Sequence, residues 1–356
     1  MSDLYASIFV YFLKKHINKN NEPVYKMLQE ENNKQFVFNI CKTAYHLFIE
    51  NKVTFSRREI QNIVNSFDEV ENELSGFIEK IETDLGCYYQ FVHLTIMEFC
   101  VSVYAYNYLT CKEIMVNEKL RNCLPMICGL LNKDENSFLK FLADIRISKP
   151  GDIFLKLYSN LMSRNSEKLS MIDILNLDEF GFRKLLYECF YESQSSITGE
   201  IKSLFDKRQW MISVCDGKTF YETSCENYFL NHLINSELKL PTLYVNKSIL
   251  SDDEKNLIIK SSTIVRRVFF YCPIKFDGWK PKDKIQELSI CILKYSISKK
   301  DFEECFLSWI NVCEELYLDL HVGTDYISDI FEWIHRSNVK KFVMVEKGKN
   351  FINEPM

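Results

Sequence analysis

Glycine and proline are scarce in this chain, at 10 and 7 of 356 residues. That scarcity argues against glycine-rich phosphate cradles and for packed helices. No apolar run reaches the ~20 residues that a membrane-spanning helix needs. The most apolar stretch, Leu94 to Leu109, is too short and carries Glu98. Met1-Ser2-Asp3-Leu4 lacks the basic region and apolar core of a signal peptide. Neither sign of charge dominates, with 44 basic against 49 acidic residues, so no global basic field points to nucleic acid or an anionic membrane. The 13 cysteines, from Cys41 to Cys313, contain no C-x-x-C pair. An odd number without framework spacing reads as free thiols in a reducing, cytoplasmic setting and offers no zinc site. In that setting the Asn246-Lys247-Ser248 sequon is a chance match.

The signatures of catalysis are missing too. His16, His46, His93, His232, His321 and His335 show no H-E-x-x-H or comparable metal spacing, and no serine sits in a G-x-S-x-G elbow. Gly217-Lys218-Thr219 ends like a phosphate loop, but Ile212 stands where the first glycine belongs and no clear strand leads into it with the glycine content that a phosphate cradle needs. It reads as a surface loop, and the chain as no enzyme.

What is present is a large stock of core-forming residues, 47% hydrophobic and 14% aromatic. Residues 4–18 read as one amphipathic helix, followed by a polar break from Lys19 to Pro23 and a second helix from about Lys34 to Glu50. Ser56-Arg57-Arg58-Glu59 is a capping box that opens a short helix. A longer helix through Glu71 to Ile81, a turn at Gly86 and the strand-like run Cys87 to Val92 follow. That run feeds a helix beginning at Thr95. There Thr95 and Glu98 are spaced as a second capping box, Leu94 and Phe99 as a hydrophobic staple. His93 stands just upstream, at the positive end of the new helix. This succession is compatible with a winged helix. DNA binding is not favoured: the candidate recognition helix offers only Arg57 and Arg58, and Asp68, Glu69, Glu71 and Glu73 follow.

From about Thr110 to Asp206 the periodicity is helical, as in Leu120 to Leu131, Ser137 to Ile145 and Phe182 to Glu192, with a turn at Pro150-Gly151. After Asp206, five L-x-x-L-x-L runs begin at Leu240, Val265, Ile285, Cys313 and Val339. Their intervals of 25, 20, 28 and 26 residues fall in the ~20–29 range of leucine-rich repeats. The repeats are degenerate, because the positions expected to hold Asn or Cys hold Ser248, Pro273, Leu293, His321 and Lys347. Trp279, Trp309, Tyr317 and Trp333 are open to two readings, as a partner-binding surface or as core fillers.

Three motifs, in order, resemble one family. Phe91-Val92-His93-Leu94-Thr95-Ile96-Met97-Glu98-Phe99 resembles the F-[IV]-H-L-[ST]-x-Q-E-F segment that ends the winged helix of NOD-like receptors, with Met97 in place of the usual glutamine. Leu124 to Asn132 resembles the F-L-x-G-L-L-N helix of their second helical domain, and Leu185 to Gln194 the later L-L-x-C-L-Y-E-x-Q helix. The last two look most like the pyrin-containing subfamily. The resemblance implies a C-terminal portion lacking the NACHT ATPase core. Residues 1–20 would end the preceding helical domain and 21–109 would form the winged helix. The second helical domain would occupy 110–206, a transition 207–236 and leucine-rich repeats 237–356.

The expected fold is thus mainly α, with a short, degenerate α/β solenoid at the end. The resemblance also implies that His93 contacts an ADP phosphate, but only where a NACHT domain is present. The chain by itself carries no cofactor, ADP or ATP belonging to a full-length parent, and His93 then reads as a residue packed at a helix start. The implied function is a non-catalytic innate-immunity sensor or regulator of the inflammasome type. It would act through protein partners on the repeats and helical domains, without nucleic acid or a membrane span. The alternative is a leucine-rich-repeat adaptor scaffold, for example for a ubiquitin ligase.

Overall fold

The structure is a computed structural model that describes residues 1–17, 23–64, 76–84, 86–131, 142, 179–194, 211–215, 217–236, 240–276, 278–292, 297–320, 326–346 and 349–353. The expected polar break at 19–22, the acidic cluster at 68–73 and the turn at Pro150-Gly151 lie outside these residues, as does all of 137–145 except Leu142. The contacts divide the chain into two units, Met1–Ser196 and Ile197–Met356.

The first unit begins with α1 (Ser2–Ile17), the short α2 (Val24–Met27) and α3 (Glu31–Ile49). Then come β1 (Thr54–Ser56), α4 (Arg57–Ile63), β2 (Ile78–Thr83) and β3 (Gly86–Phe91). The capping box at α4 forms as its spacing predicts: Ser56 Oγ accepts from Glu59 N, and the Glu59 carboxylate accepts from Ser56 N. The helix expected through Ile81 does not extend there. Ile78 to Thr83 pair antiparallel with β3, from Ile78 opposite Phe91 to Thr83 opposite Gly86. Ile78 is buried on this strand and Ile81 half-buried, while Glu79, Lys80 and Glu82 are exposed. Gly86 takes φ +131°, a value that L side chains rarely adopt, which makes the tight hairpin possible. The three strands form one sheet in the order β1-β3-β2.

β3 leads within two residues into α5 (Leu94–Tyr108), which is buried over most of its circumference, as a central helix must be. It packs against α3, where Cys41 and Cys100 meet and Tyr45 stacks on Tyr104 at 4.8 Å. Phe9 of α1 reaches Phe99 at 5.8 Å and Phe77 at 5.0 Å. After α6 (Cys111–Val116), the stretch read as one helix from Leu120 is a 3₁₀ turn, Glu118–Cys123, followed by α7 (Leu124–Gly129) with proline in its first turn. α7 packs against both α5 and α8 (Glu179–Glu192).

The second unit corrects the expected fold class. The chain is not mainly α: this half is built on six parallel strands, continued by a seventh, antiparallel one. The elements are β4 (Met211–Cys215), α9 (Phe220–Asn235), β5 (Leu240–Asn246), α10 (Asp252–Ser261), β6 (Val265–Phe270) and β7 (Ile285–Ile292). A composite helix follows, α11 (Lys299–Ile310), whose middle, Glu303–Leu307, widens to a π-helix. Then come β8 (Cys313–Leu320), α12 (Ile327–His335), β9 (Lys341–Glu346) and β10 (Lys349–Asn353). β4 and α9 lie within 207–236, the segment read from sequence as a transition.

Each parallel strand pairs with its sequence neighbours, from β4 to β9. Right-handed crossovers taken in a constant direction put all connecting helices on one side of such a sheet. The five apolar runs become β5 to β9, and their anchors fall opposite one another. One column is Ile212, Leu243, Val268, Leu288, Leu316 and Phe342; the next is Val214, Val245, Phe270, Ile290, Leu318 and Met344. All twelve side chains are buried. The helices reach the sheet through these columns: Phe270 meets Phe306 and Trp309 of α11 at 5.6 and 5.2 Å, and Phe342 meets Phe331 of α12 at 5.7 Å. Burial of each such side chain contributes about 1.5–3 kcal/mol, so the two columns make the hydrophobic spine of this unit.

Candidate functional site

His93 is where sequence reasoning placed a candidate contact, and its surroundings differ from the expected ones. The helix starts at Leu94, so His93 itself, extended at φ −149° and ψ 136°, is the N-cap. Its Nδ1 accepts from the Thr95 backbone N–H at 3.3 Å and lies 2.5 Å from Thr95 Oγ1. Thr95 is therefore a helical residue whose hydroxyl turns back to the imidazole, and the expected Thr95/Glu98 capping box does not form. The staple is not made either: Leu94 is exposed while Phe99 is fully buried. The physical reason is β3, which holds the chain extended up to the helix and lets the imidazole occupy the capping position first. With Nδ1 an acceptor, the neutral ring carries its hydrogen on Nε2, on an exposed side chain at the positive end of a helix. That geometry suits donation to an anion. Burial holds the nearby Glu98 carboxyl above the usual carboxylate range, against the pull of His93.

Gly217-Lys218-Thr219 also differs from its reading. A strand, β4, does lead into it, and Thr219 caps α9 with Glu222 as partner. Yet Lys218 is turned inward. Its Nζ lies 2.5 Å from the Glu226 carboxylate and donates to the Ser213 carbonyl. Burial keeps Glu226 above the usual carboxylate range despite Lys218. A lysine committed to a buried carboxylate does not cradle phosphate. Among the described residues no group of His, Cys, Asp and Glu is placed to hold a metal ion, and no helix is long and apolar enough to cross a membrane.

The second unit offers a different kind of site. Strand residues between the buried anchors project to the opposite side of the sheet, and the register aligns them as well. One row is Ser213, Tyr244, Phe269, Ser289, Tyr317 and Val343. Towards the strand starts runs a charged row, Thr242, Arg267, Glu287, Glu315 and Lys341. In it Arg267 meets Glu287 at 3.3 Å and Lys341 meets Glu315 at 3.4 Å. Towards the strand ends lie Cys215, Tyr271, Cys291, Asp319 and Val345. Tyr271 packs on Tyr244 at 4.7 Å, and the Cys291 thiol donates to Asp319 at 3.7 Å. Burial, then the neighbouring Tyr271, pushes the Tyr244 hydroxyl up; burial, then Cys291, pushes the Tyr271 hydroxyl up against its hydrogen bond with Tyr244.

The tryptophans lie elsewhere. Trp309 is fully buried, Trp279 packs on it at 5.5 Å, and Trp333 stacks on Phe302 at 5.8 Å, all with the helices. Of the four aromatics singled out in the sequence, only Tyr317 stands on the open face. Tyr244, Phe269, Tyr271, Cys291 and Asp319 went unnoticed. Their signal was available, since stacking the five L-x-x-L-x-L runs on their anchors puts Tyr244, Phe269 and Tyr317 at one repeat position. The chain matches no protein-family model, and no curated protein matches it.

Proposed function

We propose that this chain is a non-catalytic, cytoplasmic protein-interaction component of the NOD-like receptor type, working as a sensor or regulator through the open face of its second unit. The observation that carries the reading is the register of β4 to β9. Five degenerate repeats at leucine-rich-repeat spacing lie side by side, in step, with one side on helices and the other lined by tyrosines and paired charges. Such a repeat array leaves an extended surface for a partner. The first unit supports the family reading: helix, strand, helix and hairpin deliver the chain into a helix capped by His93. The helices that carry the other two family-like motifs, α7 and α8, pack on each other, and Cys128 meets Cys189 between them.

In this reading His93 contacts the phosphate of ADP only when a NACHT domain supplies the nucleotide. The chain alone is expected to bind neither ADP nor ATP at micromolar concentration in isothermal titration, and a micromolar Kd would sink the assignment. Partners cross-linked to the full chain in cytosol should join it through residues of the open face.

A further inference from the structure

Resting on the reading of the open face as a docking surface, we propose that its occupant is a protein segment presenting a lysine or arginine between apolar side chains. The cation sits at Asp319 beside Tyr271 and Tyr317, and the apolar flank reaches Ile249 and Phe220.

The charges of the face select the partner's sign. Towards the strand starts, the two described carboxylates of the charged row each have a cation: Glu287 has Arg267 and Glu315 has Lys341. Asp319 is different. Among the described residues its contact is the Cys291 thiol, and it makes no ion pair. Tyr317, two residues earlier on β8, lies on the same face, and Tyr271 extends the row through Cys291. Tyrosine rings attract a cation through their quadrupole, and a carboxylate beside them completes its neutralisation. An acidic segment would meet that carboxylate without compensation.

The neighbouring rim selects apolar flanks. Phe220 and Ile249 are 88% and 82% exposed, the highest values among the exposed large hydrophobic residues described. They follow the ends of β4 and β5, which are adjacent strands. Tyr271, 36% exposed, follows β6, the next strand. Exposed apolar groups in the segments that leave three successive strands are what a partner surface would cover. From β8 to β4 there are four strand spacings, roughly 19 Å at ~4.8 Å each. That distance is about 13 residues of helix or about six of extended chain.

The test is fluorescence anisotropy of the full chain with three labelled 15-residue peptides of alternating leucine and serine, carrying arginine, glutamine or glutamate at the centre. The arginine peptide should bind at least tenfold more tightly than the glutamine peptide, with the glutamate peptide weakest. Asp319→Asn should abolish the preference for arginine while circular dichroism and Tm stay unchanged. Combined Phe220→Ser and Ile249→Ser should weaken the arginine and glutamine peptides alike. Equal binding of arginine and glutamate peptides, no binding of any peptide, or an Asp319→Asn variant that keeps the preference would overturn the proposal. Partners cross-linked at Tyr244 or Tyr271 without regard to charge would then leave the docking face standing and remove only its basic specificity. Partners cross-linked solely outside the face would remove both.

Discussion

A histidine that caps a helix through Nδ1 has its tautomer chosen for it. At His93 the Thr95 N–H supplies the hydrogen bond that fixes Nδ1 as acceptor, so Nε2 is the donor available to an anion. Replacing His93 with alanine should fray the first turn of α5 and cost about 0.5–1 kcal/mol. Hydrogen exchange read at the Thr95 amide should accelerate while the middle of the helix stays protected. A second residue-scale test concerns Glu59. The Lys52 ammonium first, and the Ser56 N–H after it, hold its carboxyl down from 4.5 to about 2. A carboxyl held below its unfolded value stabilises the fold above about pH 4.5, and that contribution is lost as the pH falls towards 2. Glu59 is partly exposed, so the effect is small. Chemical denaturation should nevertheless show a shallower loss of stability between pH 4.5 and 2 in Glu59→Gln than in the parent chain.

At the scale of elements, the two apolar columns are the spine of the second unit. Leu288 is fully buried between Val268 and Leu316. Leu288→Ala should therefore cost about 2–5 kcal/mol, read as a lower urea midpoint of the second unit. These anchors were legible because a strand buried on one side repeats its apolar residues at fixed places. The Ser56/Glu59 capping box was legible for an equally local reason. Thr95/Glu98 had the same spacing, yet the strand that precedes it gave the cap to His93, a choice set by neighbouring structure. The strand Ile78–Thr83 was hidden because half its residues are charged and its partner is supplied by the hairpin. β4 was hidden because five residues, Met-Ile-Ser-Val-Cys, carry no complete repeat signature. Trp309 illustrates the remaining limit: sequence identifies a large aromatic residue, whereas only packing decides whether it fills a core or meets a partner.

For the whole molecule, the α/β second unit shifts the weight of the functional account from a single imidazole to a surface. His93 offers one exposed donor at a helix start, while the open face brings tyrosines, paired charges and a carboxylate without an ion pair among the described residues together within the chain itself. Tyrosines at the centre of an interface commonly carry a large part of its binding energy. The most direct measurement is the affinity of a captured partner for the full chain and for two variants, each assayed well below its own Tm. The double variant Tyr244→Ala with Tyr271→Ala is predicted to weaken binding by roughly 30-fold, about 2 kcal/mol, while Phe331→Ala on the helix side leaves it unchanged. Undiminished binding by the tyrosine variant, with loss from Phe331→Ala, would contradict the account.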